Sequence, residues 1–378
     1  MANPPPPYDN ITGISRAVMK DNAQVTLANY NGNARPGELV VDQNTDSLWV
    51  GNALGQLTLV STVSGSPITS HIYVDPKRTD VYTATGSQLC PFLTLQAAYN
   101  AAELVASSSN PIFIVIVSDN TSATAEAVTF SKGHIFLVGD NSSGTHAPII
   151  FYGNLTFTGP NVSISENHFA VQGLELIGSS GTSVITFSGS YPQRLFLKDV
   201  WITANGSIHG INMTNTGTGS TLHGNDFKLS HNGTGHYHCL NIAAGTANID
   251  SLETSGVGVA AIGVDGGSCN IRNSEIECGG TYAIDVYAGG VLTMATTLIT
   301  TTAATSHGVI LRAATAVAVI GTTSFRVPSG DAANRAISGV VGSFLYYANL
   351  YFLPGAYTDK ISSAITSAVI DSTPSFVA

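Results

Sequence analysis

Glu253 and Glu277 are the residues whose type and spacing come nearest to a reaction centre. If the chain coils with a period close to the interval between them, their carboxylates stand on neighbouring strands, about 5 Å apart at the backbone. Two carboxylates near that separation are the nucleophile and acid of a retaining glycosidase. The same alignment gives two outward columns, Trp201–Asp226–Ser251–Glu275 and Thr203–Lys228–Glu253–Glu277. They flank an inward line of Ile202, Phe227, Leu252 and Ile276. Trp201 offers a flat face for a sugar ring, with Asp226, Lys228 and Glu275 as hydrogen-bonding neighbours. The plain alternative, a solvated surface on which Lys228 offsets Glu253, is the stronger of the two.

Histidines crowd one stretch: His223, His231, His236 and His238, beside Cys239. His236 and His238 fall on one face of a strand, the spacing of a two-histidine metal pair. His209 and His238, however, align at equivalent positions of adjacent coils, which makes a stacked pair instead of a ligand set. Ordinary turn or surface histidines are the preferred reading, and no cofactor is expected. The four cysteines form no CxxC pair, which excludes zinc ribbons and thioredoxin-like chemistry. No Ser-His-Asp arrangement or phosphate loop occurs, and the glycine-rich pieces read as corners.

The elements that must position these residues come from a repeat. HGINM (His209–Met213), HCLNI, AAIGV, YAIDV and HGVIL recur, with RAISG and an earlier SVITF as looser copies. Their leading apolar residues, Ile211, Leu240, Ile262, Ile284, Val309 and Ile337, step by roughly 22 to 29 residues, one solenoid turn. Gly/Asn corners such as Asn205-Gly206 and Asn232-Gly233 separate short alternating strands. The expected fold is all-β: a right-handed parallel β-helix with a small N-terminal β-hairpin module and one capping α-helix. In that helix Leu95, Ala98, Tyr99 and Ala102 share a face behind a Thr94 N-cap. The expected division is 1–65 as N-terminal module, 66–110 as linker and capping helix, 111–342 as β-helix, and 343–378 as an aromatic-rich closing segment.

Composition narrows the classes of function. Net charge is −10, with 14 Lys+Arg against 24 Asp+Glu among 378 residues, so binding driven by nucleic-acid phosphates is excluded. Only 10% of residues are charged while 43% are hydrophobic, which excludes a disordered chain. No apolar run reaches membrane-spanning length, and MANPPPPYDN lacks the basic and apolar regions of a secretory signal, so neither insertion nor secretion is expected.

Two segments resemble known families. VDPKRTDVYTATGSQLCPFLTLQAAYNAA is similar to the entry segment of pectate-lyase-like and tailspike-type β-helices, which implies the fold and says little about chemistry. ARPGELVVDQNTDSLWVGNALGQL resembles the N-terminal modules of bacteriophage, especially cyanophage, tail and fibre proteins. That resemblance implies that Arg35, Pro36, Gly37, Glu38, Trp49 and Gly51 belong to a virion-docking module. It also implies a virion location, other tail or capsid proteins as partners, and a homotrimer that buries the aromatic segment after 343. Host surface polysaccharide is the implied target. A depolymerising tailspike, or a capsid fibre or tail adaptor without a glycan partner, are the alternatives. Resembling fibre tips bind iron through His-x-His, but near the C-terminus and repeated, unlike the single His236-x-His238 here.

Overall fold

A computed structural model describes residues 70–140, 148–159, 167–217, 219–233, 237–256, 260–303, 306–326, 335–353 and 359–371. It also describes 17–20, 39–42, 47–51, 54, 56–62 and 375–376. The chain divides into two units, Met1–Thr69 with Thr79–Cys90, and Ser70–Arg78 with Pro91–Ala378. In the first, Leu39–Asp42 and Ser47–Gly51 pair antiparallel, the two strands of the hairpin expected from the sequence. Leu57–Thr62 adds antiparallel to Ser47–Gly51, and Ala17–Lys20 adds parallel to Leu39–Asp42. Trp49 and Gly51 lie on the second hairpin strand, whereas Arg35, Pro36, Gly37 and Glu38 lie outside the described residues.

The second unit is a right-handed parallel β-helix whose strands pair in parallel from coil to coil. Each full coil runs over three faces. Face A includes His71–Val74, Ile112–Ile116, Ile135–Gly139, Asn167–Gln172 and Gln193–Lys198. Face B includes Leu174–Gly178 and Trp201–Ala204. Face C includes Ser183–Phe187, His209–Met213, His238–Ile242, Ala260–Val264 and Tyr282–Val286. In the middle coils one strand, such as Thr221–His231, bends from face A into face B. The bend is a single left-handed residue, stacked coil on coil as Gly173, Asp199, Asp226, Ser251, Asn273 and Thr296. Asp and Asn suit that position because their short polar side chains lower the cost of positive φ.

The first rung, His71–Val74, pairs with Ile112–Ile116 and so precedes the helix, within the stretch read as linker. Solenoid pairing likewise continues beyond 343, where Phe344–Ala348 pairs with Val317–Ile320. The aromatic segment is another coil, with Leu345 buried and Phe344 and Tyr346 turned outward.

On face C the inward line Ile185, Ile211, Leu240, Ile262, Ile284, Val309 and Ile337 is continuous from coil to coil and inaccessible to solvent. This is the repeat legible in the sequence. The helix Leu95–Glu103 buries Leu95, Ala98, Tyr99 and Ala102 against the first coils, and the Thr94 hydroxyl accepts from Ala97 N at 3.2 Å. The Glu126 carboxylate accepts from Leu95 N and Gln96 N, both at 3.0 Å, placing negative charge at the helix N-terminus. Below it Tyr99 meets Phe130 edge-on, and Phe130 stacks on Phe157 at 4.9 Å. All four cysteines are buried free thiols.

Candidate functional site

Face B carries the residues singled out by type. Its strand pairing sets one outward column as Glu175–Trp201–Lys228–Glu253–Glu275. Glu253 therefore stands beside Glu275, not Glu277. Glu277 pairs with Thr300 in the neighbouring column, which also holds Thr203 and Ser230. Asp226 and Ser251 are in neither column, because both occupy the left-handed bend.

The physical reason lies inside the solenoid. Face B has two inward lines. One includes Phe227, Leu252, Ser274 and Thr297; the other is Ile202, Leu229, Thr254, Ile276 and Ile299. Ser274 is polar but buried, so an alignment that follows apolar residues passes from Leu252 on the first line to Ile276 on the second; between Ile202 and Phe227 it changes line because Phe227 and Leu229 are both apolar.

Trp201, Asp226, Lys228, Glu253 and Glu275 nevertheless converge, lining one open depression of about 370 Å³. A second, of about 500 Å³, lies on the other side of Trp201 and is lined by Gln172, Asp199, Trp201 and Asp226. Trp201 is 45% exposed, a large flat apolar surface among hydrogen-bonding groups. Lys228 ion-pairs with Glu253, whose side chain is 56% exposed. An exposed pair of this kind adds little stability. Glu175, next to Trp201, titrates above the usual carboxylate range because it is partly buried and close to Asp119. The arrangement can stack a sugar ring and hydrogen-bond its hydroxyls. For acid–base cleavage it offers two adjacent carboxylates, but on an open surface with one engaged by a lysine.

The histidines close in sequence are far apart in role. His223 stacks on Phe196 on face A at 5.0 Å. His231 is buried, its Nε2 bonded to Ile208 O and its Nδ1 accepting from Gly233 N. His238 stacks on His209 at 5.5 Å and 7°, and its backbone N donates to His209 Nδ1. This is the coil-to-coil pair expected from the alignment. His236 lies outside the described residues, and no group of three or more His, Cys, Asp or Glu able to hold a metal occurs among the described residues. Phe196, Lys198 and Arg272, dispersed along the sequence, share a trough on face A. The signal was there: in Gln193–Lys198 the exposed residues Arg194, Phe196 and Lys198 alternate with buried ones.

No protein-family model matches the chain, and no curated protein matches it. Among solved structures the chain is similar to ORF18 of Geobacillus virus E2, with a TM-score of 0.43 and 12% identity, covering 89% of this chain and 72% of that one. A likeness of that size carries no argument about function. No helix among the described residues is long and apolar enough to cross a membrane.

Proposed function

We propose that this chain is a fibre protein of a bacteriophage virion, attached to the particle through its N-terminal module and touching host surface glycan with its solenoid. The observation that carries the glycan contact is Trp201, exposed between two depressions on a rigid exterior and surrounded by Asp199, Asp226, Lys228 and Glu253. A rigid β-helix loses little conformational entropy on binding, so weak contacts suffice when several copies act together. Support for the virion comes from the resemblance of the segment around Arg35–Gly51 to phage docking modules. A homotrimer supplies the multivalency and covers the outward Phe344 and Tyr346.

A depolymerising tailspike is the second reading, favoured by one observation: Glu253 and Glu275 occupy directly paired positions. The exposure of Glu253 and its pairing with Lys228 weigh against it.

Two measurements test the fibre reading. Light scattering of the purified protein is expected to give a trimer, and a species at the 39.1 kDa monomer mass at micromolar concentration overturns that part. Antibodies against the solenoid are expected to label projections on intact particles; labelling only of lysed cells, never of particles, overturns the virion assignment.

A further inference from the structure

Among the described residues the pair Asn-Gly occurs twice, as Asn205-Gly206 and Asn232-Gly233. Both follow a face B strand, and they are stacked: Ala204 pairs with His231, and Asn232 N donates to Ala204 O at 2.9 Å. At Gly233 a side chain would strike Gly206 O, so the close approach of the two corners requires glycine. An asparagine followed by glycine carries its own reaction, because no Cβ keeps the glycine nitrogen from the side-chain amide carbon. The reaction is slow while the peptide N–H keeps its proton.

At Asn232 that proton has a destination. Gly233 N donates to His231 Nδ1 at 3.2 Å. The other ring nitrogen, Nε2, meets Ile208 O at 2.9 Å. A carbonyl only accepts, so Nε2 carries the ring hydrogen and Nδ1 keeps its lone pair. A base held in one tautomer by a backbone carbonyl, within hydrogen-bond reach of a nucleophile, is the arrangement of general-base catalysis.

The surroundings keep that base neutral. His231 is buried, and its ladder neighbours Ala204 and Gly256 carry no charge. On face C the titratable rings beside it are His209, electrostatically coupled to it, and His238, stacked on His209. Burial holds His209 and His231 below the usual histidine range. Asn232 itself is exposed, with Nδ2 donating to Asn205 Oδ1 at 3.2 Å, so water reaches the amide. Asn205-Gly206 has no such base, because Ala204 stands at the position of His231.

We propose that Asn232 is a self-modification site, at which His231 drives cyclisation onto Gly233 and conversion of the asparagine to aspartate or isoaspartate. His231 Nδ1 takes the Gly233 N–H proton, the nitrogen bonds to Asn232 Cγ, and the Cγ–Nδ2 bond breaks. The proton leaves with Nδ2 as ammonia, and the base is restored. Water then opens the cyclic imide: cleavage between Gly233 N and Cγ gives aspartate, and cleavage between Gly233 N and the Asn232 main-chain carbon gives isoaspartate. Nothing is oxidised or reduced. Either product trades a neutral amide for a carboxylate, and the change is independent of what the solenoid binds.

The test stores full-length protein near neutral pH and reads conversion at each site by peptide mass mapping. In the folded protein Asn232 is expected to convert at least about tenfold faster than Asn205, and in urea the two rates are expected to converge. His231→Gln keeps a donor for Ile208 O but offers no basic nitrogen. It is expected to slow Asn232 by about tenfold and leave Asn205 unchanged. Between about pH 7 and pH 8 the Asn232 rate is expected to stay level, since the neutral ring is already fully populated, while Asn205 speeds up with hydroxide. If the melting temperature shows that the Gln variant does not fold, the pH profile and the urea comparison still decide. Equal rates at the two sites in the folded protein, no conversion at Asn232, an Asn232 rate that climbs with hydroxide as at Asn205, or an unchanged rate in a folded Gln variant overturns the proposal.

Discussion

Faces B and C of the solenoid solve the same packing problem with different chemistry. On face C the inward line from Ile185 to Ile337 is apolar throughout, and from the second of these coils onward the residue just before each inward one is small: Gly210, Cys239, Ala261, Ala283, Gly308 and Ala336. On face B the inward lines admit Thr254, Ser274, Thr297 and Thr323, all buried. Each hydroxyl has a carbonyl to meet. Thr254 donates to Glu277 O, Ser274 to Arg272 O, Thr297 to Ala295 O and Thr323 to Gly321 O. Arg272 and Ala295 immediately precede the left-handed residues Asn273 and Thr296. The bend takes their carbonyls out of the regular ladder, and the next inward residue supplies a donor in place of a methyl group. Face C has no such bend within its strands and needs no such donor.

The largest expected effect breaks the comparison on the apolar side. Ile262→Thr places a hydroxyl where the strand offers no freed carbonyl, and it is expected to cost about 2–3 kcal/mol in urea unfolding. A cost below about 1 kcal/mol would mean that face C is no more apolar in its demands than face B. At the bend, Thr296 holds φ at 51°, a strained place for a β-branched residue. Thr296→Asn is expected to stabilise by about 1 kcal/mol, and an unchanged or lower melting temperature would refute the strain. The mirror-image change, Thr254→Val, removes a satisfied hydroxyl and is expected to cost less than about 1.5 kcal/mol.

The smallest effect is graded and pH-dependent. Burial holds His209 and His231 below the usual histidine range, and both ring nitrogens of His231 are already engaged as a neutral ring. The unfolded chain therefore takes up protons first, near pH 6.5, while the folded chain does not. Stability is expected to be flat between about pH 7 and pH 8 and to fall as the pH drops through about 6.5, with a shallower fall in His231→Gln. A melting temperature that rises between pH 7 and pH 5 would contradict the sign.

The same contrast explains what the sequence discloses. Where an inward line is unbroken, as from Ile211 to Ile337, the register can be read residue by residue, and the amphipathic face and Thr94 cap of the helix are equally legible. On face B the polar inward residues Thr254 and Ser274 hide the period, so Glu253 reads as a neighbour of Glu277 when its neighbour is Glu275. Trp201 and Lys228 were recognisable by type, yet their adjacency needed the bend at Asp226, which no apolar pattern marks. The face A trough was hidden for another reason. Its parts, Phe196, His223 and Arg272, come from different coils and have nothing in common in sequence until the register is known.

The central claim is that the solenoid holds host glycan without cutting it. The direct test incubates full-length protein with polysaccharide from the host surface and follows both retention and new reducing ends, alongside Glu253→Gln/Glu275→Gln. Retention without new reducing ends is the expected result, with retention kept in the double variant and weakened in Trp201→Ala. New reducing ends that vanish in the double variant would contradict the account and make the Glu253–Glu275 pair a catalytic centre.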